Sequence, residues 1–372
     1  MIIKENIFWL SFSIIIVLSF LGFIIPFLQK KTILFGSRIP VEIIDHVEIR
    51  QLKKNYKHVY LTAEIPFLIT AWVFLNNFSG KLIFTIILFA QLILMLLIYA
   101  VYNGKVKQLK KTILDRESIR PGKEVSIVDT GFRDGKYLIS VLWFVPSVLI
   151  LFANIIILLL SYDNIPERIG LHFNMQGSIT LSVQKTFFHV MHIPLNSVFI
   201  LAVFVFVYYS IKRSKQEIDS HAPETSKLKD RHFRLIWSDY SVIVCTTAIT
   251  WLFFLSLYMN RLLKIPSAIF ELINIAFPLL IFLSAIVLAL RTGQSGSKLK
   301  INVPVTGTGM NNVNDDRYWK LGAFYFNPKD PAIFVEKRYG VGWTINFGRP
   351  VSVAIIIVLA AVVIIIKLLS GK

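Results

Sequence analysis

Long apolar runs are the feature that most restricts what this chain can fold into. A helix rises about 1.5 Å per residue, so a run of roughly 20 apolar residues crosses about 30 Å of hydrocarbon. The 372-residue chain is 55% hydrophobic and its mean hydropathy is +0.63. We therefore predict an all-α polytopic membrane protein with about eight transmembrane helices. They cover residues 7–28, 60–78, 82–102, 138–160, 187–211, 242–258, 268–290 and 351–369.

The basic residues predict the orientation of these helices. Lys and Arg residues are retained on the cytoplasmic side of a membrane. Of the 40 Lys and Arg residues, 32 lie in the first, third, fifth and seventh connections. We therefore predict a multi-pass protein of the bacterial cell membrane with both termini outside. Membrane insertion and attraction to the lipid bilayer then account for the net charge of +18, and we expect no direct nucleic acid binding.

Composition divides the chain into four parts. Residues 1–290 are the predicted membrane domain, which includes an outer loop at 162–186. Residues 291–314 are rich in Gly, Ser, Thr and Asn and predict a flexible cytoplasmic linker. Residues 315–350 predict a small β-rich cytoplasmic module, with strands at 321–326, 332–337 and 343–347. Residues 351–372 are the last helix and an outer tail. The module is too small for an independent core, so we expect it to pack on the inner membrane face.

Two carboxylates fall inside predicted membrane helices. Glu64 lies near the inner end of the second helix and Glu271 near the outer end of the seventh. Ionisable groups in a bilayer are costly and are functional candidates by default. Each could instead reach the interface and pair with a nearby lysine. Both interpretations stay open from the sequence.

Three histidines are weak candidates for a metal site. His189 and His192 are three residues apart on one predicted helical face, and His172 lies in the preceding loop. Such a set could hold a metal, but histidines at helix ends also commonly face interfacial water. We predict no cofactor. The chain contains no nucleophile motif, paired-carboxylate motif or glycine-rich nucleotide loop, so we do not expect an enzyme.

The outer loop contains the polar segment PERIGLHFNMQG, residues 166–177. In it, Ile169, Leu171 and Phe173 alternate with less apolar residues, which predicts a short extended segment with one apolar side. Such a strand would bury that side across the outer ends of the helices.

This segment resembles a domain of bacterial membrane proteins of unassigned function that also occurs in the SdpI-type immunity proteins. The matching residues are Pro166, Ile169, His172, Phe173, Asn174, Gly177 and Lys185. The family commonly has proline at the position of Gly170, and Pro-Asp where this chain has Ile179-Thr180. Two more segments support the resemblance. FGSRIP, residues 35–40, is similar to an inner-loop element of these proteins, and residues 317–350 are similar to a small C-terminal module of unknown function.

The resemblance implies a non-enzymatic role in toxin immunity or envelope signalling. The outer loop would contact an extracellular peptide or lipid ligand, and inner segments would recruit a cytoplasmic repressor. The candidate contact residues are Pro166, Arg168, His172, Phe173, Asn174, Gly177 and Lys185. The alternative is a small-solute or ion transporter that uses Glu64, Glu271 and the outer histidines. A third possibility is a protein that modulates the assembly of others without a ligand.

Overall fold

The structure is a computed structural model that describes residues 2–78, 80–129, 131–132, 135–173, 179–301 and 308–369. Within these ranges the fold is mostly helical. The helices are α1 (Ile2–Ile24), α2 (Val47–Asn77), α3 (Lys81–Arg116), α4 (Val145–Leu160), α5 (Phe187–Arg213), α6 (Pro223–Met259), α7 (Ser267–Thr292) and α8 (Pro350–Leu369).

The strands are short and form two-stranded pairs. They are β1 (Ile33–Leu34), β2 (Ser37–Arg38), β3 (Glu124–Val125), β4 (Arg168–Phe173), β5 (Ile179–Gln184), β6 (Asn311–Asn312), β7 (Trp319–Lys320), β8 (Phe324–Tyr325), β9 (Phe334–Glu336) and β10 (Trp343–Ile345). The pairs are β1 with β2, β3 with β6, β4 with β5, β7 with β8, and β9 with β10.

Seven helices in the described part of the chain are long and apolar enough to cross a membrane. The candidate spans are Ser11–Leu28, Val47–Asn77, Leu82–Arg116, Val141–Leu160, Phe187–Arg213, Pro223–Met259 and Leu272–Gly296. They match the first seven predicted runs and indicate a multi-pass membrane protein. Helix α8 covers the eighth run but is not among the seven, so its crossing stays a prediction.

Several helices continue well beyond their apolar runs. Helix α2 has 31 residues and begins at Val47, although the predicted span begins at residue 60. The charged segment 47–59 joins that span in one continuous helix. Nδ1 of His46 caps the helix by accepting the backbone N–H of Glu48 over 3.3 Å. Pro66 lies inside α2, where a membrane helix tolerates it because neighbouring groups can meet the freed carbonyl.

The described chain divides into two compact units. The first contains residues 1–129, 215–230 and 289–349, and the second contains residues 130–214, 231–288 and 350–372. The first unit thus combines three N-terminal helices with most of the predicted linker and module. These segments are far apart in sequence, so their mutual contacts are tertiary.

Tyrosines connect the helices of the first unit. The hydroxyl of Tyr56 donates to the carbonyl of Gly22 and that of Tyr60 to the carbonyl of Ser19, each over 2.8 Å. A Cβ at Gly22 would lie 2.2 Å from the Tyr60 hydroxyl oxygen. The absence of a side chain at Gly22 therefore lets α2 approach α1. Small residues have this role in many membrane helix pairs.

The predicted strand at 321–326 is instead the second half of a hairpin. Leu321 and Gly322 have φ angles of 52° and 72°, so the chain reverses between β7 and β8. Trp319 then pairs with Tyr325, and Lys320 with Phe324. The prediction missed the turn because only Gly322 marks it in an otherwise aromatic run. The other two predicted strands correspond to β9 and β10, which pair with each other in an antiparallel register.

A buried asparagine organises the C-terminal part of the first unit. The side-chain amide of Asn346 is inaccessible to solvent and donates to the carbonyls of Asn327, Asp330 and Ala332. Its Oδ1 accepts the backbone N–H groups of Asn327 and Gly348. Five hydrogen bonds from one side chain thus hold residues 327–332 against the segment that contains Asn346.

Residues on both sides of 302–307 in the predicted linker make defined contacts. Nε2 of Gln294 donates to the carbonyl of Gly342 over 3.0 Å, and its Oε1 accepts the Gly342 N–H over 2.7 Å. Strand β6 pairs in parallel with β3. The linker therefore contributes side chains and strand pairs to the first unit.

The second unit contains α4, α5 and most of α6 around an apolar core. Phe144, Leu151 and Tyr208 are buried there, and the Tyr208 hydroxyl donates to the carbonyl of Ile139 over 2.7 Å. Cys245, the single cysteine, is buried in this core with a free thiol.

Candidate functional sites

The predicted outer loop forms the antiparallel hairpin β4–β5. Pro166 and Arg168 are exposed at the beginning of this hairpin. His172 and Phe173 lie in β4, and only their backbone is described. Asn174 and Gly177 lie outside the described residues. The register is irregular between Gly170 and Phe173, and such bulges bend a strand and redirect its side chains.

Apolar side chains fix the base of this hairpin. Ile169 in β4 is 1% exposed and packs with Leu158 of α4 and with Val190 and Met191 of α5. The sequence predicts an extended segment that buries its apolar side across the helix ends. The burial of Ile169 agrees with this prediction. The hairpin is therefore attached to the helices at its base through packing as well as through covalent connections.

Lys185 has a specific role at that base. Its ammonium group donates to the carbonyls of Ile165 and Tyr162 over 2.9 and 3.2 Å, and it lies 5.0 Å from the centre of the Tyr162 ring. The Lys185 backbone N–H also donates to the carbonyl of Glu167 over 2.7 Å. These contacts make Lys185 a positioning residue that closes the hairpin.

The histidines of α5 bond to nearby backbone. Nδ1 of His189 lies 3.0 Å from the carbonyl of Gln184 and 2.9 Å from the Thr186 hydroxyl, and Nδ1 of His192 lies 2.6 Å from the carbonyl of His189. In the described part of the chain, no group of three or more His, Cys, Asp and Glu side chains could hold a metal ion. The side chain of His172 is outside that search.

The intramembrane carboxylate Glu64 has a polar partner. Nε2 of Gln91 in α3 donates to Oε1 of Glu64 over 2.6 Å, and the two residues are 0% and 2% exposed. Oε2 of Glu64 has no hydrogen-bond partner among the described residues. Glu64 thus bonds to a neutral amide between helices, and among the described residues it pairs with no lysine. Glu271 lies in α7, and its side chain is not described.

The sequence analysis did not predict a cluster of buried charges that lies in the first unit. It centres on Arg38 and Arg338, which are 7% and 1% exposed, and on the neighbouring carboxylates of Asp315 and Asp316. Arg338 bonds to both carboxylates, and Arg38 bonds to Asp315 through its guanidinium and to Asp316 through its backbone N–H. Lys110 of α3 is the third cation of this group and pairs with Asp316 over 2.9 Å.

These cations determine the ionisation of Asp316. Burial disfavours its charged form, but the charges of Arg338 and Lys110 and the N–H of Arg38 outweigh burial and lower the Asp316 pKa to about 2. The carboxylate is therefore ionised at neutral pH, and the charges in this cluster compensate one another. Removing one partner of such a buried pair costs more stability than the intact pair contributes, because the other charge is left buried and unpaired.

A second group of charges continues from the cluster through Glu217. Arg38 donates to Glu217 over 2.5 Å, and Lys30 pairs with Glu336 over 2.6 Å. Burial lowers the pKa of the Lys30 ammonium, but attraction to Glu336 and Glu217 outweighs it and raises that pKa. Burial also raises the pKa of Glu336, attraction to Lys30 opposes the shift, and repulsion from Glu217 and Asp230 adds to it. The charge cluster, as named from here on, consists of Lys30, Arg38, Lys110, Glu217, Asp315, Asp316, Glu336 and Arg338.

Aromatic contacts join the charge cluster to the helices of the first unit. The Tyr99 hydroxyl of α3 donates to the carbonyl of Arg338 over 2.5 Å, and the Tyr99 and Tyr339 rings meet edge to face at 4.6 Å. Gln29 donates to the carbonyl of Gly340 over 2.6 Å. The segment Arg338, Tyr339 and Gly340 therefore attaches the C-terminal part of this unit to its N-terminal helices.

Family models match two short parts of the chain. Residues 149–198, which contain the β4–β5 hairpin, match a domain of unknown function, DUF1648. Residues 328–353, which contain β9 and β10, match a family of unknown function, DUF5808. No curated protein and no solved structure matches the chain. DUF1648 is a domain found in SdpI-like proteins, so this match agrees with the predicted resemblance at the level of the domain.

Proposed function

We propose that this chain is a non-enzymatic bacterial inner-membrane protein of the SdpI-like class that acts in toxin immunity or envelope signalling. The β4–β5 hairpin, on the outer side, contacts a peptide or lipid ligand. The main support is the construction of this hairpin: Ile169 and Lys185 fix its base, while Pro166 and Arg168 remain exposed. A fixed loop with an accessible polar edge binds a ligand at a lower entropic cost than a mobile loop.

The inner side would then recruit a soluble partner, such as a repressor. The support is that the charge cluster joins the segments around Lys30, Glu217 and Arg338 into one unit. An assembled surface of this kind presents residues from distant segments to one partner. Both termini are placed outside in this proposal.

The test is complementation of a deletion strain. Cells carrying the wild type, Arg168→Ala or Lys264→Ala are challenged with secreted killing peptides, and survival and operon expression are measured. Lys264 is an exposed basic residue in another predicted outer connection and serves as the matched control. We expect Arg168→Ala to lose protection while Lys264→Ala keeps it, with equal amounts of each variant in the membrane. Survival and operon expression that do not change on deletion would exclude the proposal.

Transport is the second candidate, and one observation favours it. Glu64 is buried among the helices, and one of its carboxylate oxygens has no partner among the described residues. A carboxylate that binds and releases a cation or proton within the membrane would have these two properties. Flux of ions and small solutes into proteoliposomes should then fall in Glu64→Gln and persist in Lys264→Ala. Flux that is unchanged in Glu64→Gln and in Glu271→Gln would remove this candidate.

A further inference from the structure

The hairpin β7–β8 has two chemically different faces. Side chains alternate across a strand, and directly paired residues of an antiparallel ladder share a face. Trp319 and Tyr325 form one pair, and both are buried. Lys320 and Phe324 form the next pair on the opposite face, where Phe324 is 40% exposed. Phe326 lies on this outward side by alternation and is 46% exposed.

The inward face holds the hairpin firmly in the first unit. Trp319 packs with Tyr325 and Val335, and the Arg338 guanidinium lies 4.9 Å from the centre of the Trp319 ring. The Trp319 indole N–H donates to Asp315 over 3.3 Å. These contacts therefore fix the position of the backbone that carries the outward face.

The turn of the hairpin meets α3 at a defined height. A Cβ at Gly322 would lie 2.7 Å from the carbonyl oxygen of Phe35 and 2.8 Å from Nδ2 of Asn103. Asn103 is the first residue after the apolar run 82–102, and the basic stretch GKVKQLKK follows it. Leu321, next to Gly322, is 52% exposed. The turn therefore lies where α3 passes from apolar to basic sequence, which is the level of the lipid headgroups.

The composition of the hairpin suits this level. Residues 317–329 contain Arg317, Lys320 and Lys329 but no acidic residue. Arg317 lies 4.7 Å from the centre of the Tyr318 ring, and Lys320 donates to the Arg317 carbonyl over 3.3 Å. Aromatic and apolar groups that enter the interface, next to cations that attract anionic headgroups, are typical of segments that lie on a membrane.

We propose that the outward face of β7–β8, formed by Leu321, Phe324 and Phe326 with Arg317 and Lys320, docks on the anionic lipid surface of the inner leaflet. Leu321 and the phenyl rings enter the interface, and the two cations bind lipid phosphate groups. The docked hairpin holds the C-terminal part of the first unit against the bilayer, in addition to the attachment through Arg338. This proposal does not depend on the outer ligand.

The experiment uses the full chain in nanodiscs. Cys245→Ser removes the single thiol, and one cysteine is introduced at Leu321, at Phe324 or at the control position Val313, which is apolar and 46% exposed. Each cysteine carries an environment-sensitive fluorophore, and lipids with a spin label near the headgroup quench its emission. We expect strong quenching at positions 321 and 324 and little at 313. Equal quenching at all three positions would overturn the proposal. A blue-shifted emission that lipid does not quench would indicate a protein contact and would also overturn it.

The lipid charge is tested separately. Nanodiscs of phosphatidylcholine, with and without added phosphatidylglycerol, are compared for Phe324→Cys in the Cys245→Ser background. Phosphatidylglycerol should increase the quenching, and Arg317→Gln with Lys320→Gln should weaken that increase. Each charge removed should lower the ratio of docked to undocked hairpin about fivefold. Quenching that does not respond to phosphatidylglycerol or to these substitutions would overturn the role of the anionic headgroups.

Discussion

Arg338 donates from Nη1 to Oδ1 of Asp316 over 2.7 Å, and Arg338 is 1% exposed. The same guanidinium also bonds to Asp315 and to the carbonyl of Gly36. One buried side chain thus joins three backbone segments of the first unit. The stability of that unit should be unusually sensitive to this residue.

Arg338→Met tests this relationship directly. It keeps an unbranched apolar side chain but removes a buried charge from its partners, so the free energy of unfolding should fall by about 3 to 5 kcal/mol. Thermal unfolding of the full chain in detergent measures the change. Lys329→Met, which alters an exposed lysine of the same segment, should change it by less than about 0.5 kcal/mol. Similar losses in both variants would contradict the importance of the pair.

Gly322→Ala should destabilise the first unit more than Gly340→Ala does. Both glycines have positive φ angles, 72° and 87°, so each alanine incurs a backbone cost of about 1 to 2 kcal/mol. A Cβ at Gly322 would also meet the Phe35 carbonyl at 2.7 Å, while a Cβ at Gly340 has nothing within 4 Å. Chemical unfolding of both variants gives the order. An equal or greater loss at Gly340 would contradict the close packing of the β7–β8 turn.

Asp316 should make the first unit sensitive to acid. Its pKa is lowered from 3.8 to about 2, so its charged form is favoured by folding. That stabilisation is present above the unfolded pKa, near 4, and is lost as the pH falls towards 2. The Tm of the wild type should therefore fall more between pH 5 and pH 3 than that of Asp316→Asn. Glu224→Gln, which alters a side chain that is 75% exposed, should follow the wild type. The same pH dependence in Asp316→Asn and the wild type would argue against this role.

Lys185→Met should loosen the β4–β5 hairpin. The Tyr162 and Ile165 carbonyls would lose their charged donor, and leaving such groups unpaired costs about 1 to 3 kcal/mol. Backbone amides of β4 and β5 should exchange with deuterium about tenfold faster, as measured by mass spectrometry of the full chain. Arg168→Met alters an exposed residue and should leave the exchange unchanged. Equal exchange in Lys185→Met and the wild type would mean that the Lys185 contacts are not needed to hold the hairpin.

The membrane helices follow from the sequence because one local property, a long apolar run, is enough to specify them. The first seven runs each coincide with a candidate span, and Lys185 and Ile169 fall in the predicted outer loop. Helix lengths were predicted less well, since α2 and α3 continue through charged sequence with no residue that stops a helix. The sequence of such a charged extension looks like that of a separate surface helix. It therefore does not show that the extension and the membrane helix are continuous.

The charge cluster could not be predicted from local patterns. Arg38 and Arg338 resemble ordinary cytoplasmic basic residues in the sequence, and both are buried against Asp316, which is 278 positions from Arg38 and 22 from Arg338. One signal was present: the acidic doublet Asp315-Asp316 is unusual among connections that are otherwise strongly basic. Pairing it with an arginine still requires knowledge of which segments meet, and that is a tertiary property.

The separation of Arg38 and Asp315 along the chain has a consequence for biosynthesis. They are 277 positions apart, so at 5 to 20 residues per second a ribosome takes roughly 14 to 55 s to make the second after the first. Helices α1–α3 must wait in the membrane during that time with Arg38 not yet paired to Asp315 or Asp316. A nascent chain that stops before Asp315 is therefore expected to present an incomplete unit to chaperones and membrane proteases, however well its first helices have inserted.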